Sequence, residues 1–268
     1  MRRTLVPVIM ALVAIASLSA QGYGFTDARG KTLALPAKAQ RIISLSPAAT
    51  EILYAAGAGK AMVGATTYCN FPAAASNLAR IGGYSARTIS LEAIVALRPD
   101  LIIGEASMHG QLAAQMERAG LIFAGISLAS FDDIYTAMVN FGRVGGDEKA
   151  SAAAVASMKA RVAAVRAKTA TITTNKRPTV FWEVWNEPLM TAGPGTFISM
   201  ILSAAGARNV FADISEDWPV VSFEAIVARN PDWIMASETH AAAVTLESLA
   251  KRPGWSSLSA VRNRKIAL

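Results

Sequence analysis

Short apolar runs alternate along this chain with stretches that carry helix-start and helix-stop residues. Arg41-Ile-Ile-Ser-Leu45 reads as a β-type run, and Ser46 after it can cap a helix with Pro47 in its first turn and Gly57 closing it. Ala61 to Ala65 and Leu101 to Gly104 have strand length and turn-type flanks, and Leu121 to Ile126 follows a helix-like stretch from Gln111 to Ala119. Strands that alternate with helices predict a parallel α/β sheet.

The middle of the chain breaks the alternation. From Asp147 to about Lys168 it is Ala-rich, with Lys159, Arg161, Arg166 and Lys168 toward the end, which predicts one long helix capped by Asp147 and with cations suited to its C-terminal dipole. A helix of that length spans roughly 33 Å, enough to connect two lobes. Thr169 to Pro178 reads as a polar linker, and Thr179-Val-Phe-Trp-Glu-Val-Trp185 opens a second α/β series. That series continues through a helix from Phe197 to Ala205, a helix after Ser222 and a strand from Trp233 to Ala236. Lys265 to Leu268 reads as a strand without the helix that normally covers it, so the C-terminus is expected to be incomplete.

One stretch occurs twice. Ser90-Leu-Glu-Ala-Ile-Val-Ala-Leu-Arg-Pro-Asp-Leu-Ile-Ile103 reappears as Ser222-Phe-Glu-Ala-Ile-Val-Ala-Arg-Asn-Pro-Asp-Trp-Ile-Met235, identical at nine of fourteen positions without a gap. Two copies so far apart do not make a solenoid; they predict two like lobes, each with the same helix-to-strand unit, and a working site between them. The boundaries that follow are an N-lobe at about 25–146, a connecting helix at 147–168 and a C-lobe at 176–268.

Composition adds an address. Arg2 and Arg3, an apolar run from Leu5 to Leu18 and small residues from Ser19 to Gly24 have the order of an export signal, assigned to residues 1–22, with cleavage between about residues 16 and 24. The run is short for a membrane span. Cys69, the only cysteine, has no partner for an internal disulfide and is read as a small buried hydrophobe. Of the formal net charge of +7, two charges belong to Arg2 and Arg3. The remaining cations are scattered, without the basic stripe and interleaved aromatics that nucleic-acid binding requires.

With these features in place, the chain resembles the periplasmic vitamin B12 and iron-complex binding proteins of ATP-binding-cassette importers. The matching text is Arg41 to Glu51, Thr67-Tyr-Cys-Asn-Phe-Pro72, the first repeat copy, Pro188-Leu-Met-Thr-Ala-Gly193, Gly206-Ala-Arg-Asn-Val-Phe211 and Trp218-Pro-Val-Val-Ser-Phe-Glu224. It extends over 41–268. The resemblance implies two Rossmann-like lobes with parallel sheets joined by one long helix, the class III periplasmic-binding-protein architecture. It also implies a monomer that binds and performs no chemistry, in the periplasm, with cobalamin as ligand, no cofactor and an inner-membrane permease dimer as partner.

In the family the repeat glutamates sit on the outer faces of the lobes and enter arginine pockets on the permease, which makes Glu92 and Glu224 the docking residues. One carboxylate per lobe suits a two-fold partner, although Glu two residues after a capping Ser is also ordinary helix-start chemistry. The cleft positions that carry over are Ala48, Tyr68, Met190 and Trp218, with Tyr84 in a gapped loop. Aromatic faces suit a flat macrocycle, and each of these residues could equally be core. Glu105 stands where the cobalamin-binding members have a tryptophan, and the family's last cleft loop would lie beyond Leu268, so haem or a ferric siderophore is the alternative ligand.

Residue chemistry allows three further readings. His109 and His240 follow strand ends and are the candidates for approaching a metal, against a surface or hydrogen-bonded role. A zinc or manganese receptor would need several converging His, Asp or Glu ligands, which two histidines do not supply. Trp185-Asn-Glu-Pro188 spells the acid/base motif of a group of retaining glycosidases, but those enzymes need a second carboxylate at about 5 Å and usually an eight-fold barrel. Glu187 is assigned to the cleft rim.

Overall fold

The structure, a computed structural model, describes residues 23–236 and 244–267. The export segment assigned to residues 1–22 and the candidate His240 lie outside the described residues. The N-terminal lobe opens with an antiparallel hairpin, β1 (Tyr23–Thr26) and β2 (Thr32–Leu35), which the apolar pattern does not predict. It continues through β3 (Ile42–Ser44), α1 (Pro47–Ala55), β4 (Met62–Ala65), β5 (Ala79–Arg80), α2 (Leu91–Ala96), β6 (Leu101–Glu105), α3 (Ala106–Arg118), β7 (Phe123–Ile126) and α4 (Phe131–Val144). Helix α5 (Glu148–Thr169) leads to the second lobe. There follow β8 (Thr179–Asn186), β9 (Leu189–Thr191), α6 (Phe197–Ala204), β10 (Arg208–Asn209), α7 (Phe223–Arg229), β11 (Trp233–Ala236), α8 (Leu246–Lys251), α9 (Ser259–Arg262) and β12 (Ile266–Ala267).

The first sheet has the order β5-β4-β3-β6-β7 and is parallel throughout. The second has the order β10-β8-β11-β12, also parallel, with β9 added antiparallel to β8. Both lobes therefore place their opening strand, β3 or β8, beside the strand that ends the repeat, β6 or β11. Strands β3 and β7 are buried at every position, as are the first four residues of β6, because helices cover both faces; this is why they read as unbroken apolar runs and not as alternation.

The repeat explains this symmetry residue by residue. Ser90 and Ser222 each accept the N–H of the residue three on, at 3.2 Å, and cap α2 and α7; such caps are worth about 1 kcal/mol each. Ile94 and Ile226 are fully buried beneath their helices. Arg98 and Asn230, at equivalent positions, both turn the chain with positive φ, 46° and 38°. Asp100 then accepts the backbone N–H of Gln40 at 2.7 Å and of Arg41 at 2.9 Å, and Asp232 accepts that of Thr179 at 2.8 Å. Each repeat thus fastens itself to the entrance of its own lobe's opening strand.

Several boundaries differ from those expected. Gly59–Ala61 forms a 3₁₀ turn, so β4 starts at Met62. Helix α3 starts five residues before Gln111, directly after Glu105 and without a side-chain cap, which removes the signal that would have announced it.

Helix α5 buries only Ser151 and Val155, so its Ala-rich composition and its fastened ends sustain it. Asp147 accepts the N–H of Ala150 at 2.8 Å, and Ser151 packs so closely on Gly142 of α4 that a Cβ there would collide with it. At the other end Thr169 donates to the carbonyl of Ala204 on α6 at 3.1 Å. The lobes also touch beside this helix, where Phe131 of α4 meets Phe197 of α6 edge to face at 5.1 Å, with the Arg166 guanidinium 5.6 Å from the Phe131 ring centre.

Candidate ligand cleft

In open α/β sheets ligands bind beyond the carboxyl ends of the strands, where neighbouring connections diverge. That edge of both sheets carries exposed aromatic groups. After β4, Tyr68 is 62% and Phe71 63% exposed; in the C-terminal lobe, Trp185 at the end of β8 is 44% and Trp218 in the loop before α7 is 51% exposed. Large rings left in water at one edge of each lobe are unusual for a surface with no ligand.

Tyr68 and Trp218 stand on braced loops, and Trp185 stands at the end of β8. Arg80 of β5 donates to the carbonyls of Thr66 at 2.9 Å and Cys69 at 3.0 Å, and the fully buried Cys69 thiol sits 3.1 Å from the Thr66 hydroxyl. Tyr68 is thereby presented from a clamped turn. In the other lobe the loop around Trp218 runs along β9: Thr191 and Gly193 donate to the carbonyls of Pro219 and Asp217, and Met190 bridges Val220. Met190 also faces Trp185 across the β8–β9 pair. Trp185, Met190 and Val220 therefore share one face of this small antiparallel extension.

The structure brings Tyr84 to Glu105 and His109 instead of leaving it free. The Tyr84 hydroxyl donates to both carboxylate oxygens of Glu105, 3.1 Å from each. His109 is fully buried, accepts the Glu105 N–H at Nδ1 (3.0 Å) and donates from Nε2 to the Tyr84 carbonyl (2.8 Å). With both ring nitrogens engaged, His109 is a structural brace, which corrects its candidacy as a metal ligand. Among the described residues no three His, Cys, Asp or Glu side chains converge on a site for a metal ion.

Ala48 is exposed in the first turn of α1, at the carboxyl edge of β3. Glu187 is exposed beyond β8, and its carbonyl accepts the Trp185 indole N–H at 2.9 Å. Glu183, four residues earlier, is buried and held by both ends of the Arg252 guanidinium at 2.6 and 2.9 Å. Glu92 and Glu224 are exposed in the first turns of α2 and α7. Ser90 donates to Glu92 at 3.0 Å; the backbone N–H of Glu224 and the Ser222 hydroxyl hold the Glu224 carboxyl below its ordinary value.

Phe71, Trp185 and Val220 join this edge although sequence reasoning did not select them. The available signal was position: Phe71 follows β4, Trp185 ends β8 and Val220 pairs with Met190 of β9, and all three are exposed.

The chain matches the family described as periplasmic binding protein over residues 42–268. It belongs to that family. An uncharacterized ABC transporter substrate-binding lipoprotein, YvrC of Bacillus subtilis, is 32% identical over 245 residues, covering 90% of this chain and 76% of the relative. The vitamin B12-binding protein of Vibrio cholerae is 31% identical over 235 residues, covering 87% and 82%. Among solved structures, the periplasmic vitamin B12 binding protein BtuF of Vibrio cholerae superposes with a TM-score of 0.74 at 28% identity, over 87% of this chain and 88% of that one. The periplasmic heme-binding protein RhuT of Roseiflexus superposes with a TM-score of 0.76, also at 28% identity, over 85% and 89%. The fold is therefore the two-lobed, parallel-sheet architecture of the class III periplasmic binding proteins. No described helix is long and apolar enough to cross a membrane.

Proposed function

We propose that this chain is the exported solute-binding protein of an ABC importer, that it captures a corrinoid, cobalamin, between its lobes, and that it delivers it to the permease. The observation that carries this reading is the pair of exposed aromatic edges, Tyr68 with Phe71 on one lobe and Trp185 with Trp218 on the other. Aromatic faces bury much area of a flat macrocycle at little rotamer cost, and loops held by Arg80 and by β9 are organised before the ligand arrives. Relatives that bind vitamin B12 at about 30% identity support the choice of ligand. Binding without chemistry, a periplasmic address and a monomer belong to the same proposal.

Haem is the second reading, favoured by the likeness to a heme-binding protein of equal identity. Titrating the mature protein with cyanocobalamin, haem and a ferric siderophore while following tryptophan fluorescence separates them. Saturable quenching by cyanocobalamin is expected, and its absence would sink the ligand assignment. The same sample on aryl glycosides tests the hydrolase alternative, for which no turnover is expected.

A further inference from the structure

A cavity with three arginines in its lining lies where the end of α5 meets α6 and β10. It has a volume of about 730 Å³ and is lined by Arg166, Arg177 and Arg208 with Thr174, Ser199 and Ser203. No acidic residue lines it. Among the described residues none of the three guanidiniums has a carboxylate within 4.0 Å, whereas Arg29, Arg229 and Arg252 are each ion-paired.

Three like charges on one wall repel each other, and what offsets them locally is small. Arg166 gains from the C-terminal dipole of α5 and from the Phe131 ring. Arg177 uses only Nε, at 3.3 Å from the Ile172 carbonyl. Arg208 acts on Asp232 only from beyond ion-pairing distance, and that carboxylate already accepts the Thr179 N–H and hydroxyl. The hydroxyls of Thr174 and Ser203 donate to no group in the described structure. Planar forks from three separate elements, with free hydroxyls between them, match the oxygens of a phosphoryl group, which arginine can bind two at a time. The volume lies within the range of small-molecule sites and exceeds what one phosphate fills.

We propose that this cavity binds a phosphorylated small molecule, at a site separate from the aromatic edges of the lobes. Pyrophosphate is the probe. Calorimetric titration at low salt compares the unaltered protein with Arg177→Gln/Arg208→Gln and with Arg118→Gln/Lys149→Gln, which removes the same charge from exposed positions elsewhere. Circular dichroism and melting temperature serve as the fold control. Saturable binding is expected, weakened at least about tenfold in the first variant and unchanged in the second. No binding to the unaltered protein, equal affinity in the first variant, or an equal loss in the second would each overturn the proposal.

Discussion

Tyr84 holds Glu105 by sharing one hydroxyl hydrogen between both carboxylate oxygens, at 3.1 Å from each. Burial and then the negative charge of Glu105 push the Tyr84 phenol far above its ordinary value, so it stays a neutral donor at every pH the protein meets. Beneath the pair, His109 locks the backbone of both residues with its two ring nitrogens and meets the Tyr84 ring edge to face at 5.5 Å. A carboxylate at the carboxyl end of a central strand is thus fixed in position before any ligand is present.

Replacing Tyr84 by Phe removes this donor and keeps the ring against His109. The expected cost is about 1.5 kcal/mol, the low end for a bond to a charged acceptor because the pair is only partly buried. A urea melt that places the variant's midpoint level with the parent's would show that the bond contributes nothing.

The two-lobed plan was legible because the repeat copies residues with structural tasks: Ser90 and Ser222 cap, Ile94 and Ile226 fill the core, Asp100 and Asp232 fasten the opening strands. Continuous burial on both faces made β3, β6 and β7 readable as apolar runs. The β1–β2 hairpin was not, since its strands are four residues each and half exposed. Nor was the fate of Tyr84 and His109, because their contacts span 21 and 25 residues and depend on how α3 leaves β6. The Phe131–Phe197 contact between the lobes lies further still from any local pattern.

Glu92 and Glu224 are exposed and equivalent, one per lobe, as charge pairing with a two-fold partner requires. Glu92→Lys with Glu224→Lys is expected to leave ligand affinity within about twofold of the parent, because both lie outside the aromatic edges, and to abolish uptake in cells. Normal uptake by the double variant would refute the docking role.

Trp185 and Met190 face each other across β8 and β9, with Val220 on the same face. If that face meets the ligand, Trp185→Ala weakens cyanocobalamin binding about tenfold through lost aromatic area. Lys149→Gln, at an exposed position of α5 outside both proposed binding sites, is the comparison. Equal affinity for the two variants in the fluorescence titration would remove Trp185 from the site.

Arg98 occupies the left-handed region where the second repeat copy has Asn230. Left-handed backbone costs most side chains roughly 1 kcal/mol and asparagine less, so Arg98→Asn is expected to stabilise the protein by about 0.5 kcal/mol. The Arg98 carbonyl, which accepts from Arg41 at 3.1 Å, is retained in the variant. A lowered chemical-denaturation midpoint would mean that the Arg98 side chain contributes more than its backbone costs.

Asp27 gives the fold an acid-sensitive joint. Its side chain is fully buried and accepts four bonds: Arg29 N at 2.9 Å, Lys31 N at 3.0 Å, Gly125 N at 3.0 Å and Arg29 Nε at 2.7 Å. Burial raises its pKa, but the Gly125 N–H, the Arg29 guanidinium and the Lys31 N–H together outweigh burial and hold it below the ordinary 3.8. A carboxyl depressed in the folded state stabilises the protein above the unfolded value, about pH 4, and that contribution fades as pH falls through the folded value. Asp27→Asn turns an amide donor toward other donors and is expected to cost about 2 kcal/mol at pH 7. Because the parent loses its own advantage in acid, the gap between the two in urea melts should narrow below pH 4. A gap of the same size at pH 7 and pH 3 would show that the carboxylate's charge does not stabilise the attachment of the hairpin to β7.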